Sequence, residues 1–142
     1  MYLHDTKEKL LNEFSALHDI VPPIQVTDVD FVNAGVWLQN QCNARVTIQA
    51  KASSNRIRGS MVIYYNRYRI DEALKDVKLI GKPGDYANTS DVLKMLGDVY
   101  GIVAYEEDFF FDPILPTATS VTLTPRINAL GWLPPNPVTL SF

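Results

Sequence analysis

The chain has 142 residues, of which 46% are hydrophobic and 20% charged, with a formal net charge of -3. This apolar content is enough for a packed core in one ordinary domain or two small subdomains, and it excludes a disordered chain. The mild acidity argues against a general nucleic-acid binder, which needs a basic excess, and no apolar run reaches the roughly 20 residues of a membrane span. Met1-Tyr2-Leu3-His4-Asp5 lacks the basic-then-apolar order of a secretory leader. The single cysteine, Cys42, leaves no internal disulfide to form, and a small half-buried residue is its simplest role.

In chain order, Asp5 with Glu8 three residues on predicts a capped helix start. Leu10, Leu11, Phe14 and Leu17 follow on one helix face. Val21-Pro22-Pro23 ends that helix, because proline removes a donor and restricts the residue before it. Ile24–Thr27 alternates briefly. It predicts a short strand in a linker that carries Asp30-Phe31, with a turn at Asn33-Ala34-Gly35 and a brief strand or packed loop at Val36-Trp37-Leu38.

Arg45–Lys51 alternates cleanly, with Val46, Ile48 and Ala50 on one side, and predicts a half-buried strand. Met61–Tyr65 is β-branched and aromatic and predicts its antiparallel partner. Residues 71–88 read as a bridge, with a helical turn at 71–75 and loop chemistry at Gly81-Lys82-Pro83-Gly84-Asp85. Thr89 or Ser90 is the expected cap of a second helix carrying Val92, Leu93, Leu96 and Val99, with Gly101 in the left-handed position at its end. Phe109-Phe110-Phe111 and the turn at Asp112-Pro113 follow. Ser120–Thr124 and Val138–Phe142 alternate, and Pro125, Pro134, Pro135 and Pro137 favour edge strands or a rigid connection between them.

The order helix, Asp-Phe, strand, strand therefore occurs twice. Asp30-Phe31 aligns with Asp108-Phe109, Val46-Thr47 with Val121-Thr122, and Met61, Ile63 and Tyr65 with Val138, Leu140 and Phe142. The expected fold is α+β: two related halves of helix plus antiparallel strands, 1–70 and 89–142, joined by the 71–88 bridge and packed on a shared core. Duplication of a small unit points to assembly geometry more readily than to a catalytic pocket.

The side chains carry little reaction chemistry. His4 lies in the N-terminal tail and His18 near a helix end, outside any nucleophile–base pattern. Glu106, Glu107, Asp108 and Asp112 form an acidic cluster that lacks the spacing of a calcium loop; a solvated rim is the plainer reading, and a hydrolase would need two of these carboxyls to converge in a cleft. The basic residues are more informative. Between Arg45 and Arg69 lie six of the 13 basic residues and no acid. With interleaved tyrosines, these are the residue types of interface cores. The expected interaction surface comprises Arg56, Arg58, Tyr64, Arg67 and Arg69, with Glu106 and Glu107 as the complementary acidic patch on a neighbour. A second possibility is a carbohydrate- or receptor-binding module in which Trp37, Trp132 and tyrosines stack on ligand.

The segment Arg58-Gly59-Ser60-Met61-Val62-Ile63-Tyr64-Tyr65-Asn66-Arg67, followed by Ile70-Asp71, resembles a repeat domain of structural proteins in large tailed bacteriophages. In that family a leading helix, here Leu10-Leu11 with Phe14, precedes a Thr-rich strand, here Val46-Thr47-Ile48, and then a Gly-Ser-Val-x-Val-Tyr-Tyr-Asn-Arg strand. The second half is similar in element order but lacks the Gly-Ser and Tyr-Tyr-Asn-Arg elements. The resemblance implies a non-enzymatic virion component of tail, fibre or capsid surface, made in the host cytoplasm. It implies no cofactor and no metal, and partners that are other virion proteins or copies of the chain.

Overall fold

The chain divides between Arg67 and Tyr68 into two compact units. The computed structural model describes residues 3–4, 6–39, 41–134 and 136–142, with Leu3 and His4 described by their backbone alone. Met1, Tyr2, the expected cap Asp5, and Pro135 lie outside the described residues. Helices combine with mainly antiparallel sheet, so the fold is α+β.

The first unit contains β1 (Leu3–His4), α1 (Lys7–Leu17), β2 (Val29–Val36), β3 (Ala44–Ala50) and β4 (Ser60–Arg67). Thr6 caps α1, its hydroxyl accepting from the Lys9 N–H at 3.1 Å. Leu10, Leu11 and Phe14 are buried as their spacing predicts, whereas Leu17, in the last turn, is exposed. The helix ends at Leu17 with His18 as its C-cap, and Asp19 then adopts the left-handed conformation at φ 55°. Ser15 is buried because its hydroxyl accepts the Ile24 N–H at 3.0 Å and ties the returning chain to the helix.

The sheet order is β1-β4-β3-β2, with β1 parallel to β4 and the other pairs antiparallel. Ile24–Thr27 is not a strand; Val26–Asp28 is a 3-10 turn instead. Asp30-Phe31, expected in a linker, belongs to β2, and the expected turn at Asn33-Ala34-Gly35 is an irregularity inside that strand, with Asn33 at φ 55°. One extra residue on β2 breaks the two-residue alternation without ending the pairing. Ala44, Val46, Ile48, Ile63 and Tyr65 form the buried face. Phe14 of α1 lines a cavity together with Val29, Ile48 and Met61, which places the helix over that face.

The second unit contains α2 (Ile70–Ala73), α3 (Thr89–Tyr100), β5 (Ser120–Leu123) and β6 (Val138–Ser141). The stretch read as a bridge is built into this unit: Ile70, Leu74, Leu79 and Tyr86 join Leu96, Phe109, Leu123 and Trp132 in one hydrophobic cluster. The cap of α3 is Asn88, one residue before the expected Thr89. Its side chain accepts from Ser90 N–H at 2.9 Å, and Asp91 accepts in return from Ala87 and Asn88. Thr89 is left to accept from the Asp112 N–H at 3.1 Å. Gly101 ends the helix at φ 68° as expected. Val99 is exposed rather than buried. Tyr68 is clasped by the 131–133 segment, its N–H donating to Gly131 and its carbonyl accepting from Leu133.

Candidate interaction surface

Alternation along β3 and β4 buries one set of side chains and turns Arg45, Thr47, Val62 and Tyr64 outward. Arg45 stands opposite Tyr64 in register. Its guanidinium lies 4.7 Å from the Trp37 ring centre, and the Trp37 and Tyr64 rings are 5.3 Å apart. Tyr64 is 41% exposed and Val62 is also open to solvent. The corresponding outward positions of β5 and β6 are Ser120, Thr122, Thr139 and Ser141, with the two threonine hydroxyls 2.9 Å apart. The outer sheet face of the first unit is thus aromatic and cationic, and that of the second is hydroxylic.

Several of the basic residues are engaged within their own unit. Arg56 donates to the Pro22 carbonyl at 2.8 Å and pairs with Asp28 at 3.6 Å. Lys51 lies 3.9 Å from Asp30. Arg69 falls in the second unit and binds Asp71 through two hydrogen bonds, 2.7 and 3.1 Å, with Glu72 nearby. That hydrogen-bonded pairing, and then the charge of the carboxylate, raise the Arg69 pKa; the same hydrogen bond holds the Asp71 carboxyl below its ordinary value. Arg67, expected on the interaction surface, is instead buried, at only 3% exposed. Arg58 is exposed, at the mouth of the cavity that Phe14 lines.

The Tyr-Asn-Arg end of β4 has a structural role that the sequence does not announce. Tyr65 is fully buried. The Asn66 side chain accepts from Asn43 N–H at 2.9 Å and donates to the Gln41 carbonyl at 3.1 Å. The Asn43 side chain in turn accepts from Arg67 N–H at 2.7 Å and donates to the Arg67 carbonyl at 3.1 Å. Two asparagines therefore clasp the β2–β3 connection to the end of β4. Asn43 follows Gln41, whose positive φ of 62° marks a tight turn, but turn geometry is invisible to hydrophobic periodicity. Cys42, in the same connection, is a half-buried free thiol.

Glu106 and Glu107 are exposed on a 3-10 turn, Glu106–Asp108. Asp108 is buried; its carboxylate accepts the Leu130 N–H at 3.2 Å and its carbonyl the Arg126 N–H at 2.7 Å. It is a structural acid. Among the described residues, no group of three His, Cys, Asp or Glu side chains is placed to hold a metal ion. Of the three phenylalanines only Phe109 is buried; Phe110 is covered on one side by the Arg126 guanidinium at 4.7 Å, and Phe111 projects. Trp132 is 3% exposed in the core, so it is not a stacking platform for a ligand. Among the described residues, no helix is long and apolar enough to cross a membrane.

No curated protein and no solved structure matches the chain. Residues 6–140 match a protein family described as a family of unknown function, DUF7941.

Proposed function

We propose that this chain, which belongs to the DUF7941 family, is a non-enzymatic structural subunit of a tailed-phage particle. It works by docking with copies of itself or with other virion proteins. Within it, two related units each repeat one helix-and-strand plan.

The observation that carries the proposal is a shared pattern of registers. Thr6 and Asn88 cap the helices. Leu10, Leu11 and Phe14 are buried in α1 at the spacing of Val92, Leu93 and Leu96 in α3. A left-handed residue follows each helix, Asp19 after the His18 cap of α1 and Gly101 as the cap of α3. A 3-10 turn follows in each unit, and its last residue, Asp28 or Asp108, accepts a backbone N–H from Lys51 or Arg126. Val46 pairs with Ile63 and Ile48 with Met61; Val121 pairs with Leu140 and Leu123 with Val138. On this alignment Asp108-Phe109 corresponds to Asp28-Val29 rather than to Asp30-Phe31. Each unit is taken to have its own core, because the second unit's buried cluster runs from Ile70 to Leu140 alone.

The units differ where proline intervenes. The Ala50 N–H donates to the Gly59 carbonyl and extends the β3–β4 ladder. Pro125 stands in the corresponding place without an N–H, and the β5–β6 pairing stops at Leu123. The resemblance of residues 58–67 to virion repeat domains supplies the particle context. The outward Trp37, Arg45 and Tyr64 supply the interface chemistry. The deciding experiment is mass spectrometry of purified particles from the phage that encodes the chain. The subunit is expected at fixed stoichiometry; its absence from intact particles rejects the proposal.

The Trp37–Tyr64 pair favours one second reading, a glycan- or receptor-binding face at a fibre tip. Glycan-array binding that is lost on Trp37→Ala supports it; no binding by the intact protein removes it.

A further inference from the structure

We propose that the apolar cavity of the first unit receives Phe111 of a second copy of this chain. The inference rests on the structural-subunit reading and names one contact through which copies assemble.

The cavity has a volume of about 180 Å³ and is walled by Phe14, Ile24, Val29, Ile48, Ile57 and Met61. It opens beside Arg58 and Gly59, which are exposed. An apolar cavity of about 150 Å³ takes up a benzene ring, so there is room here for a phenyl group. The second unit shows what such a site accepts. The residue after its 3-10 turn is the buried Phe109, where the first unit has Val29. One unit fills the space under its helix with its own ring, and the other leaves an opening.

Phe111 supplies a matching knob. It is 60% exposed, and it borders a recess that Glu106 and Glu107 also line. Phe110 is the poorer candidate because the Arg126 guanidinium already lies over its ring. The charges agree with the shapes. The first unit has seven basic and six acidic residues, the second six and ten. Arg58 at the cavity mouth would meet the carboxylates that flank the incoming ring, a pairing that steers approach and fixes orientation. Knob and hole are different surfaces, so the contact is heterologous and propagates copies into rings or open chains.

Sedimentation velocity on the full chain over a concentration series tests this. The average mass is expected to rise with concentration and to fall with added salt. Phe111→Ser, at an exposed site, should raise the dissociation constant by about tenfold or more, as expected for losing one buried phenyl ring. Val29→Phe, which closes the cavity, and Arg58→Glu, which reverses the charge at its mouth, should also weaken association, with folding checked by circular dichroism. An equimolar mixture of Phe111→Ser and Val29→Phe proteins should form dimers and stop there, since only one junction can be made. A monomeric wild type, or association indifferent to Phe111→Ser and Arg58→Glu, overturns the contact. Either result would leave the subunit reading standing if the chain is found in particles; absence from particles rejects that reading instead.

Discussion

Asn43 illustrates how much a single polar residue decides in a sheet protein. Its side chain satisfies both backbone groups of Arg67, and its own N–H is satisfied by Asn66. Asn43→Ala removes both of these side-chain hydrogen bonds, which costs on the order of 1–3 kcal/mol; chemical denaturation should show that loss, and an unchanged midpoint would reject the clasp. Asp71 offers a residue-scale test of charge. Its carboxyl, hydrogen-bonded to Arg69, is held below the ordinary aspartate value. A group depressed in the folded state contributes stability above its ordinary value and loses it as pH falls through the lowered one. Carbon-detected NMR titration should place the Asp71 midpoint below the ordinary range and move it upward in Arg69→Gln. Because both side chains are solvent-exposed, the effect on overall stability is expected to be slight.

At the scale of elements, the helix ends follow capping chemistry. Asn88 and Asp91 satisfy each other's backbone donors at the start of α3. Asn88→Ala should cost about 1 kcal/mol, read as a lowered thermal midpoint, while Ser90→Ala should cost far less because Ser90 only donates its backbone N–H to that cap. The sequence offered Thr89 and Ser90 as equally good caps. The deciding fact is that Thr89 is engaged with the distant Asp112. Helix faces were legible for the same reason in both units: the 3.6-residue period puts Leu10, Leu11 and Phe14, or Val92, Leu93 and Leu96, on one side. Leu17 and Val99 fit that period yet stay exposed, because period says which face a residue occupies and not where the neighbouring layer ends. β2 was the element least visible, since its bulge at Asn33 breaks alternation in the middle of a paired strand.

For the whole molecule, the two units make a joint prediction. Leu11 and Leu96 are each fully buried, one in each unit. Leu11→Ala and Leu96→Ala should each cost about 2–5 kcal/mol. If each unit has its own core, hydrogen exchange should speed up mainly within residues 7–67 for the first variant and 70–142 for the second. A uniform loss of protection in both variants would argue for one cooperative body. The candidate surface was only partly legible at this scale. Tyr64, Arg58, Glu106 and Glu107 are exposed as their chemistry suggests, whereas Arg67 and Trp132 have the composition of contact residues and lie inside.

By itself the sequence determined the α+β class, the two longer helices with their buried faces, and the β3–β4 pairing. Those follow from periodicity and proline placement, which act between residues close in the chain. Only the tertiary structure decided which arginines are paired, that Arg67 and Trp132 are buried, that residues 70–86 belong to the second core, and that an apolar cavity opens beside Arg58. Most of these depend on what a distant segment brings alongside: Asp28 to Arg56, Asn43 to the backbone of Arg67, Val29 rather than a ring to the space under α1. Burial and charge pairing are set by neighbours in space, and a linear pattern does not carry them.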